Sequence, residues 1–227
     1  SFAGNKTPQG NQDANGIGDF FYPVPNTYLA LCTSNLPSVD VIPSEHFNTV
    51  IYTGNATARN IDVGFQSNFT WVKARSLAYS HRLVDSVRGA GGPALESNNT
   101  NAEITESTGV TAFNSSGFSL GTAGGYNENN GTFVAWNWKA GGTASSNTNG
   151  SITSSVSANP SAGFSIVSYT GSGSAGTVGH GLSKIPDMII TKGSSNSGNW
   201  VTWQKDLTGA FDSNGAYVYL NSTGQPA

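Results

Sequence analysis

The chain contains one long sequence repeat, and the second copy is shorter than the first. Residues 47–54 read FNTVIYTG, and residues 164–171 read FSIVSYTG. The agreement continues downstream, and the offset between matching positions changes only from 117 to 120. Gly64-Phe65 matches Gly181-Leu182, Lys73 matches Lys192, and Gly89-Ala90 matches Gly209-Ala210. We call residues 47–142 the first repeat and residues 164–227 the second repeat. The second repeat reaches only the counterpart of about Thr100, so we expect a modular protein with one complete and one partial module.

The length of 227 residues is typical of one or two domains. We predict that residues 1–42 are the closing strands of a preceding domain plus a linker, and that residues 43–142 are a complete β module. Residues 143–162 are rich in Gly, Ser, Thr and Asn, which predicts a linker. Residues 163–227 are then a partial second module. Because both ends fall inside predicted modules, we expect the chain to be an internal segment of a longer protein.

Composition and strand patterns predict an all-β fold of tandem β-sandwich or jelly-roll-like modules joined by Gly/Ser/Asn-rich linkers. Charged residues make up 10% of the chain, against about 25% in typical soluble domains, whereas aromatic residues reach 11% and glycine occurs 29 times. Short apolar segments between glycine-rich turns indicate strands. We expect them at residues 47–52, 69–73, 132–138, 164–169, 188–191, 200–204 and 216–220, with a hairpin over 111–120. Only residues 80–87 have a helical pattern.

Charge and hydropathy argue against two classes of partner. The net charge is −3 and the ten Lys and Arg residues are scattered, so we expect no nucleic-acid partner. No segment approaches the 18 or so apolar residues of a membrane helix, so we expect no membrane insertion.

Two groups of residues could suggest catalysis, and neither has the expected arrangement. Ser80, His81 and Asp85 lie close in sequence, whereas the members of a catalytic triad usually come from separate elements. Glycosidases use a pair of carboxylates. Glu96, Glu103 and Glu106 lie in a polar loop, and no two of them form a closely spaced pair beside an aromatic strand. We therefore predict that the chain is not an enzyme.

Two kinds of binding site are compatible with the residues. Asp13, Asn15 and Asp19 weakly resemble the oxygen ligands of a calcium loop, although the terminal Glu of such a loop is missing. A tight turn is the simpler interpretation, and we predict no other cofactor or metal.

Aromatic side chains beside polar residues suggest a carbohydrate site, because aromatic rings stack on the apolar faces of sugars and polar groups bind the hydroxyls. The candidate glycan-contact residues are Trp71, Tyr79, Tyr126 and Trp200. Trp136 and Trp138 lie on a predicted strand, and we assign them to the core.

Several sequence runs resemble structural proteins of marine phages, including phages of cyanobacteria. The runs lie at residues 63–75 (VGFQSNFTWVKAR), 79–91 (YSHRLVDSVRGAG), 113–118 (FNSSGF) and 134–142 (VAWNWKAGG), together with Tyr126. Residues 16–23 and 29–32 are similar to the closing segment of SPRY-like or lectin-like domains. The resemblance covers most of residues 16–142 and, more loosely, 163–220. It implies a tail-fibre or appendage protein with a repeated domain of unassigned function, and it carries over no catalytic residues.

The resemblance implies a virion structural protein that takes part in attachment to the host surface. We expect it at the virion surface, outside the cell, assembled as a homo-oligomer such as a trimer and in contact with other virion proteins. Its target would be a glycan or protein of the host surface. The alternatives are a lectin-like carbohydrate-binding module, a polysaccharide depolymerase and, as a lesser alternative, a filament protein of a cell surface.

Overall fold

The computed structural model describes residues 6–36, 41–207 and 217–223. The chain divides into two compact units, Ser1–Asp40 and Val41–Ala227, which are described separately. The sequence placed this boundary at residue 42. Within the described residues, no helix has both the length and the apolar character needed to cross a membrane.

The first unit is organised around the side chain of Asp13. Its carboxylate accepts hydrogen bonds from the backbone N–H groups of Asn15 and Ile17 at 2.9 Å and of Ala30 at 2.8 Å, and from Asn35 Nδ2 at 2.6 Å. The bond from Ala30 is the main reason that the pKa of Asp13 falls to about 2, and the other three bonds lower it further against the opposing effect of burial. Asp13 therefore fastens a loop to a distant segment that includes the 3₁₀ helix Thr33–Asn35.

The second unit is built almost entirely from short strands. After a 3₁₀ turn at Pro43–Glu45, the first repeat contains β1 (Phe47–Thr53), β2 (Arg59–Asp62), β3 (Phe69–Ala74), β4 (Arg82–Asp85), β5 (Pro93–Ala94), β6 (Ile104–Thr105), β7 (Val110–Asn114), β8 (Gly117–Leu120), the short helix α1 (Gly124–Asn127) and β9 (Thr132–Trp138). The remaining strands are β10 (Ser145–Asn147), β11 (Ser154–Asn159), β12 (Phe164–Tyr169), β13 (Met188–Thr191), β14 (Val201–Gln204) and β15 (Val218–Tyr219).

Two sheets of the first repeat share one hydrophobic core. One has the order β1-β9-β3-β4 and the other the order β2-β8-β7. Along β9, buried and half-exposed residues alternate strictly, as expected for a strand with one face on a core. The core contains residues from both sheets and from the loops around them: Ile61, Val63, Phe65, Val72, Ala74, Val84, Ala94, Val110, Phe118, Leu120, Tyr126, Phe133 and Ala135.

The hairpin of β7 and β8 is the hairpin expected over residues 111–120, and Gly117 begins its second strand. A Cβ atom at Gly117 would lie 2.0 Å from the carbonyl oxygen of Ile61. Only glycine therefore allows β8 to approach β2 this closely.

The sequence repeat is visible in the pairing of the strands. Phe69 pairs with Asp85 in the β3–β4 hairpin, and Met188 pairs with Gln204 in the β13–β14 hairpin. Both partners are displaced by 119 positions, so the two hairpins have the same register. The turn before each first strand also recurs, because His46 N donates to Pro43 O and Gly163 N donates to Pro160 O.

The all-β class predicted from the sequence is confirmed, and the predicted strands at 47–52, 69–73, 132–138, 164–169 and 188–191 are present. The helical pattern over 80–87 was misleading. Arg82–Asp85 forms β4 instead, because it pairs with β3 and all four of its residues are buried. The segment 143–162, which the sequence predicts as a linker, contains β10 and β11, and these strands pair in one sheet with β12.

Candidate functional site

The outer face of the β1-β9-β3-β4 sheet, opposite the core, carries the candidate site. One row across three strands contains Thr49, Trp136 and Trp71, and the next row contains Ile51, Val134 and Lys73. We call these six residues and the adjacent His81 the aromatic face. The two Trp side chains are half-buried and Ile51 is 66% exposed. The face therefore combines flat rings with accessible neighbours.

Trp71 is the centre of this arrangement. Its ring lies edge-on to Trp136 at a centroid distance of 6.1 Å and to His81 at 5.7 Å. Trp71 Nε1 donates a hydrogen bond of 2.7 Å to His81 Nδ1. Because Nδ1 accepts this bond, the neutral His81 ring carries its proton on Nε2. The arrangement fixes the Trp71 ring and makes Nε2 the donor of the imidazole.

The surroundings of His81 favour the neutral form of its ring. Burial lowers its pKa, and the nearby Lys73 ammonium lowers it further. Lys73 is held in place by hydrogen bonds from Nζ to the carbonyl oxygens of Ala74 at 2.7 Å and Tyr79 at 2.8 Å. The backbone N–H of His81 donates to Asn98 Oδ1 at 2.9 Å, which brings an exposed amide to the rim.

One end of the sheet is covered by the strand that begins the second repeat. Phe164 of β12 stacks on Trp138 at a centroid distance of 6.0 Å. Phe69 pairs with Trp138 in the same row, and its ring centroid lies 5.3 Å from that of Trp138 and 6.2 Å from that of Phe164. Phe47 lies on the other side of Trp138 at 4.8 Å. This packing covers Trp138 at one end of the outer face. Trp71 packs in turn against a second buried cluster of Leu83, Leu95 and Trp200.

The four aromatic residues predicted to contact a glycan are separated by the fold. Trp71 lies on the aromatic face. Tyr79 is half-buried, packs against the main core and donates to Glu128 Oε2 at 3.1 Å. Tyr126 is 1% exposed and Trp200 is 4% exposed, with Trp200 Nε1 bound to Glu96 O at 2.9 Å. As folded, Tyr126 and Trp200 lack the exposed ring face that stacking on a sugar needs.

Sequence reasoning placed Trp136 and Trp138 in the core, and this was wrong. Both are half-buried on the outer face, whereas the alternate residues Phe133, Ala135 and Asn137 are fully buried. The alternation itself was visible in the sequence. Alternation shows that Trp136 and Trp138 share one face of β9, but it does not show which face meets the core.

The carboxylates considered for catalysis are all paired with arginine. Arg82 binds Glu96 and, at 2.7 Å, Glu106. Arg88 binds Asp85 at 2.6 Å and Glu103 at 2.7 Å. We call these six residues the ion-pair cluster.

Within the ion-pair cluster, Glu96 is held in its ionised form. Its burial raises the pKa, but hydrogen bonds from Asn99 and the charge of Arg82 outweigh burial, and the net pKa is lowered. A general acid requires the opposite shift. The geometry of the cluster is that of a structural anchor for the loop after β4.

In the first unit, the residues considered for calcium are engaged in other contacts. Asp13 accepts the four N–H bonds described above, Asp19 Oδ1 accepts the N–H of Gly10 at 2.7 Å, and Asn15 Nδ2 donates to Asn35. Over the described parts of the chain, no cluster of three or more His, Cys, Asp or Glu side chains is arranged to hold a metal ion. Calcium at this loop remains a prediction for which the geometry gives no support.

The sequence of residues 42–227 matches a family described as Domain of unknown function (DUF7483). The chain belongs to the DUF7483 family. One match spans both repeats of this DUF7483 protein, together with the aromatic face and the ion-pair cluster. No curated protein and no solved structure matches the chain.

Proposed function

We propose that this DUF7483 chain is a segment of a phage tail fibre or appendage and that its aromatic face holds a glycan of the host surface. The observation that carries the proposal is the pair of Trp71 and Trp136, two half-buried rings side by side on an outward sheet face. The fibre context rests on the sequence runs that resemble phage structural proteins.

The chemistry of the aromatic face suits a sugar. Trp rings supply apolar area for the C–H face of a pyranose, and a nearby polar group orients its hydroxyls. His81 Nε2 can donate and the exposed Thr49 hydroxyl can donate or accept. The only charged side chain among the seven residues of the face is Lys73, which favours a neutral or weakly acidic glycan over a highly charged polymer.

The proposal is tested by binding of host-envelope polysaccharide fragments, measured by calorimetry after selection on a glycan array. We expect Trp71→Ala and Trp136→Ala each to weaken binding about tenfold, which corresponds to a loss of about 1.4 kcal/mol. Tyr169→Ala is the matched control, since Tyr169 is an aromatic residue 46% exposed outside the aromatic face. Binding that is equally weakened by Tyr169→Ala, or unchanged in both Trp variants, would refute the site.

The depolymerase alternative is separated by an assay for release of reducing sugar. We expect no release, because the carboxylates Glu96 and Glu103 are ion-paired with Arg82 and Arg88. Release of sugar that disappears in Glu96→Gln or Glu103→Gln would replace the attachment proposal with an enzymatic one.

Assembly is the second part of the proposal. A fibre segment acts as a homo-oligomer in contact with other virion proteins, and a trimer is one such arrangement. Analytical ultracentrifugation of the purified chain measures this directly. A compact monomer at all concentrations would argue against self-assembly of this segment and would leave the glycan site unaffected.

A further inference from the structure

Two adjoining clefts lie beyond the end of β9, where the chain leaves the first repeat and enters β10. Each cleft is lined by Gly141 and Ala158, so the two clefts meet at these residues. A Cβ atom at Gly141 would lie 2.2 Å from the carbonyl oxygen of Ala158. Glycine therefore allows two backbone segments to approach each other at the junction of the clefts.

The first cleft has a volume of about 420 Å³, within the range of about 300–1,000 Å³ that is usual for small-molecule sites. Hydrogen bonds fix several of its lining residues. Asn68 Oδ1 accepts the N–H of Ala140 at 2.9 Å. Asn159 Nδ2 donates to His46 Nδ1 at 2.9 Å and to Lys139 O at 3.2 Å. Because His46 Nδ1 accepts this bond, the neutral ring carries its proton on Nε2 and keeps a donor for a ligand.

Lys139 gives the first cleft its positive charge. Among the described residues, no Asp or Glu lines this cleft, and Lys139 Nζ has neither an ion-pair partner nor a hydrogen bond. Lys139 is half-buried, whereas the lining residue Gln66 is exposed. A half-buried ammonium group without a carboxylate beside it favours an anionic ligand, because the charge of the ligand compensates for lost contacts with water.

The second cleft has a volume of about 230 Å³ and a lining rich in hydroxyl groups. Thr143 precedes the edge strand β10, and Ser145, Ser146 and Asn147 form that strand. Thr143, Ser145 and Ser146 are exposed. Hydroxyl groups both donate and accept hydrogen bonds, as the hydroxyls of a sugar require. In the described part of the chain, no charged residue lines this cleft.

We propose that the two clefts together bind a short acidic oligosaccharide. The carboxylate of one sugar unit lies at Lys139, and the hydroxyls of the adjacent unit lie along β10. The meeting of the clefts at Gly141 and Ala158 favours this ligand over an isolated anion, because an acidic oligosaccharide carries both kinds of group on neighbouring rings. The apolar surface of Pro160 is available to the C–H face of the ring. The site shares no residue with the aromatic face, and the inference does not depend on it.

The test uses the full chain and cellobiouronic acid, a disaccharide in which glucuronic acid is linked to glucose. Calorimetry is expected to show saturable binding, and the neutral disaccharide cellobiose should bind at least about tenfold more weakly because it lacks the carboxylate. In NMR spectra of the isotope-labelled chain, the backbone N–H signals of Gly141 and Gly142 should shift more than the indole N–H signal of Trp71. Equal affinity for the two disaccharides, absence of saturable binding, or shifts centred on Trp71 overturns the proposal. Sulfate bound as tightly as the acid at equal ionic strength identifies a simple anion site and overturns it as well.

Variants of the lining residues test the two clefts separately. Lys139→Met is expected to weaken binding of cellobiouronic acid about tenfold or more, because it removes the charged donor. Lys205→Met is the matched control, since it removes the same charge from an exposed ion pair outside the clefts and should change affinity less than about twofold. An equal loss in the two variants overturns the role of Lys139.

Thr143→Val removes a hydroxyl from the second cleft and nearly preserves the shape of the side chain. It is expected to weaken binding of cellobiouronic acid about threefold or more, because the hydrogen bonds of the glucose unit are lost. Binding of methyl glucuronide, which fills the first cleft alone, should be unchanged. An equal effect of Thr143→Val on the two ligands, or no effect on either, overturns the arrangement across two clefts.

Discussion

Lys73 and Lys192 lie 119 positions apart, and each fastens the loop that follows its strand in the same way. Lys73 Nζ donates to the carbonyl oxygens of Ala74 at 2.7 Å and Leu77 at 3.5 Å. Lys192 Nζ donates to those of Gly193 at 2.7 Å and Asn196 at 3.1 Å. The partners are the next residue and the fourth residue in both cases. The repeat therefore preserves a charged anchor between two paired strands, although the loops differ in sequence.

Lys73→Met is expected to lower the free energy of unfolding by about 1–3 kcal/mol. The substitution leaves carbonyl oxygens without a charged donor, and the cost of such a loss lies in this range. Urea unfolding followed by tryptophan fluorescence measures it. Lys192→Met is the matched control with a smaller expected loss, because Lys73 makes a further bond to Tyr79 O at 2.8 Å. A loss at Lys192 as large as that at Lys73 would contradict this assignment.

The sequence predicts those elements whose pattern is set locally. Strict alternation predicts β1 and β9 with correct bounds to within a residue or two. The composition of residues 143–162 predicts a linker and does not show the strands there, because Ser, Thr, Asn and Gly are common to linkers and to short strands. Here the partner decides, since β11 is a strand through its pairing with β12.

The candidate site is only partly readable from the sequence for a similar reason. Alternation groups Trp136 with Trp138 but does not state which face meets the core. That choice depends on β2, β7 and β8, which are distant in sequence and supply Phe118 and Leu120 to the core. The burial of Tyr126 depends on the same long-range packing. Trp71 was identified, and its contact with His81 required the pairing of β3 with β4 to be known.

Arg82→Met is expected to destabilise the protein by about 3–5 kcal/mol. Arg82 and Glu96 are both 9% exposed, and removal of the cation leaves buried carboxylates without compensation. The double variant with Glu96→Met should recover part of this loss, because it removes one of those charges.

The matched control for Arg82 is the exposed ion pair of Lys205 and Asp187, whose side chains are 52% and 71% exposed. Lys205→Met should change stability by less than about 1 kcal/mol, the usual value for a surface pair. Thermal and urea unfolding measure all three variants. A cost at Arg82 no greater than that at Lys205 would show that the ion-pair cluster is not a structural anchor.

The lowered pKa of His81 predicts a loss of stability in mild acid. The unfolded chain binds a proton to this residue near pH 6.5, whereas the folded chain binds it only at lower pH. His81 therefore contributes its full stability above about pH 6.5, and the contribution falls as pH drops from 6.5 to the folded pKa.

The variant His81→Gln isolates the contribution of His81, because the amide oxygen can still accept a hydrogen bond from Trp71 Nε1 and does not titrate. We expect the free energy of unfolding of the wild type to fall more steeply than that of His81→Gln between pH 6.5 and pH 5. Identical slopes would mean that another group controls the acid response.

Gly54 and Gly171 provide the sharpest comparison between the two repeats. At Gly54, an added Cβ meets the backbone oxygen of Glu128 at 2.1 Å, so the strand and the loop before β9 must separate. Gly54→Ala should therefore cost about 1–3 kcal/mol or more, as overpacking of a rigid contact does. At Gly171 an added Cβ would meet no atom of a residue beyond its chain neighbours within 4 Å. Gly171→Ala should therefore be neutral or slightly stabilising, because alanine restricts the unfolded chain.

Unfolding in urea measures the free energy of unfolding of both glycine variants. A loss for Gly171→Ala as large as the loss for Gly54→Ala would contradict this comparison, because an added Cβ meets backbone atoms at Gly54 and nothing within 4 Å at Gly171.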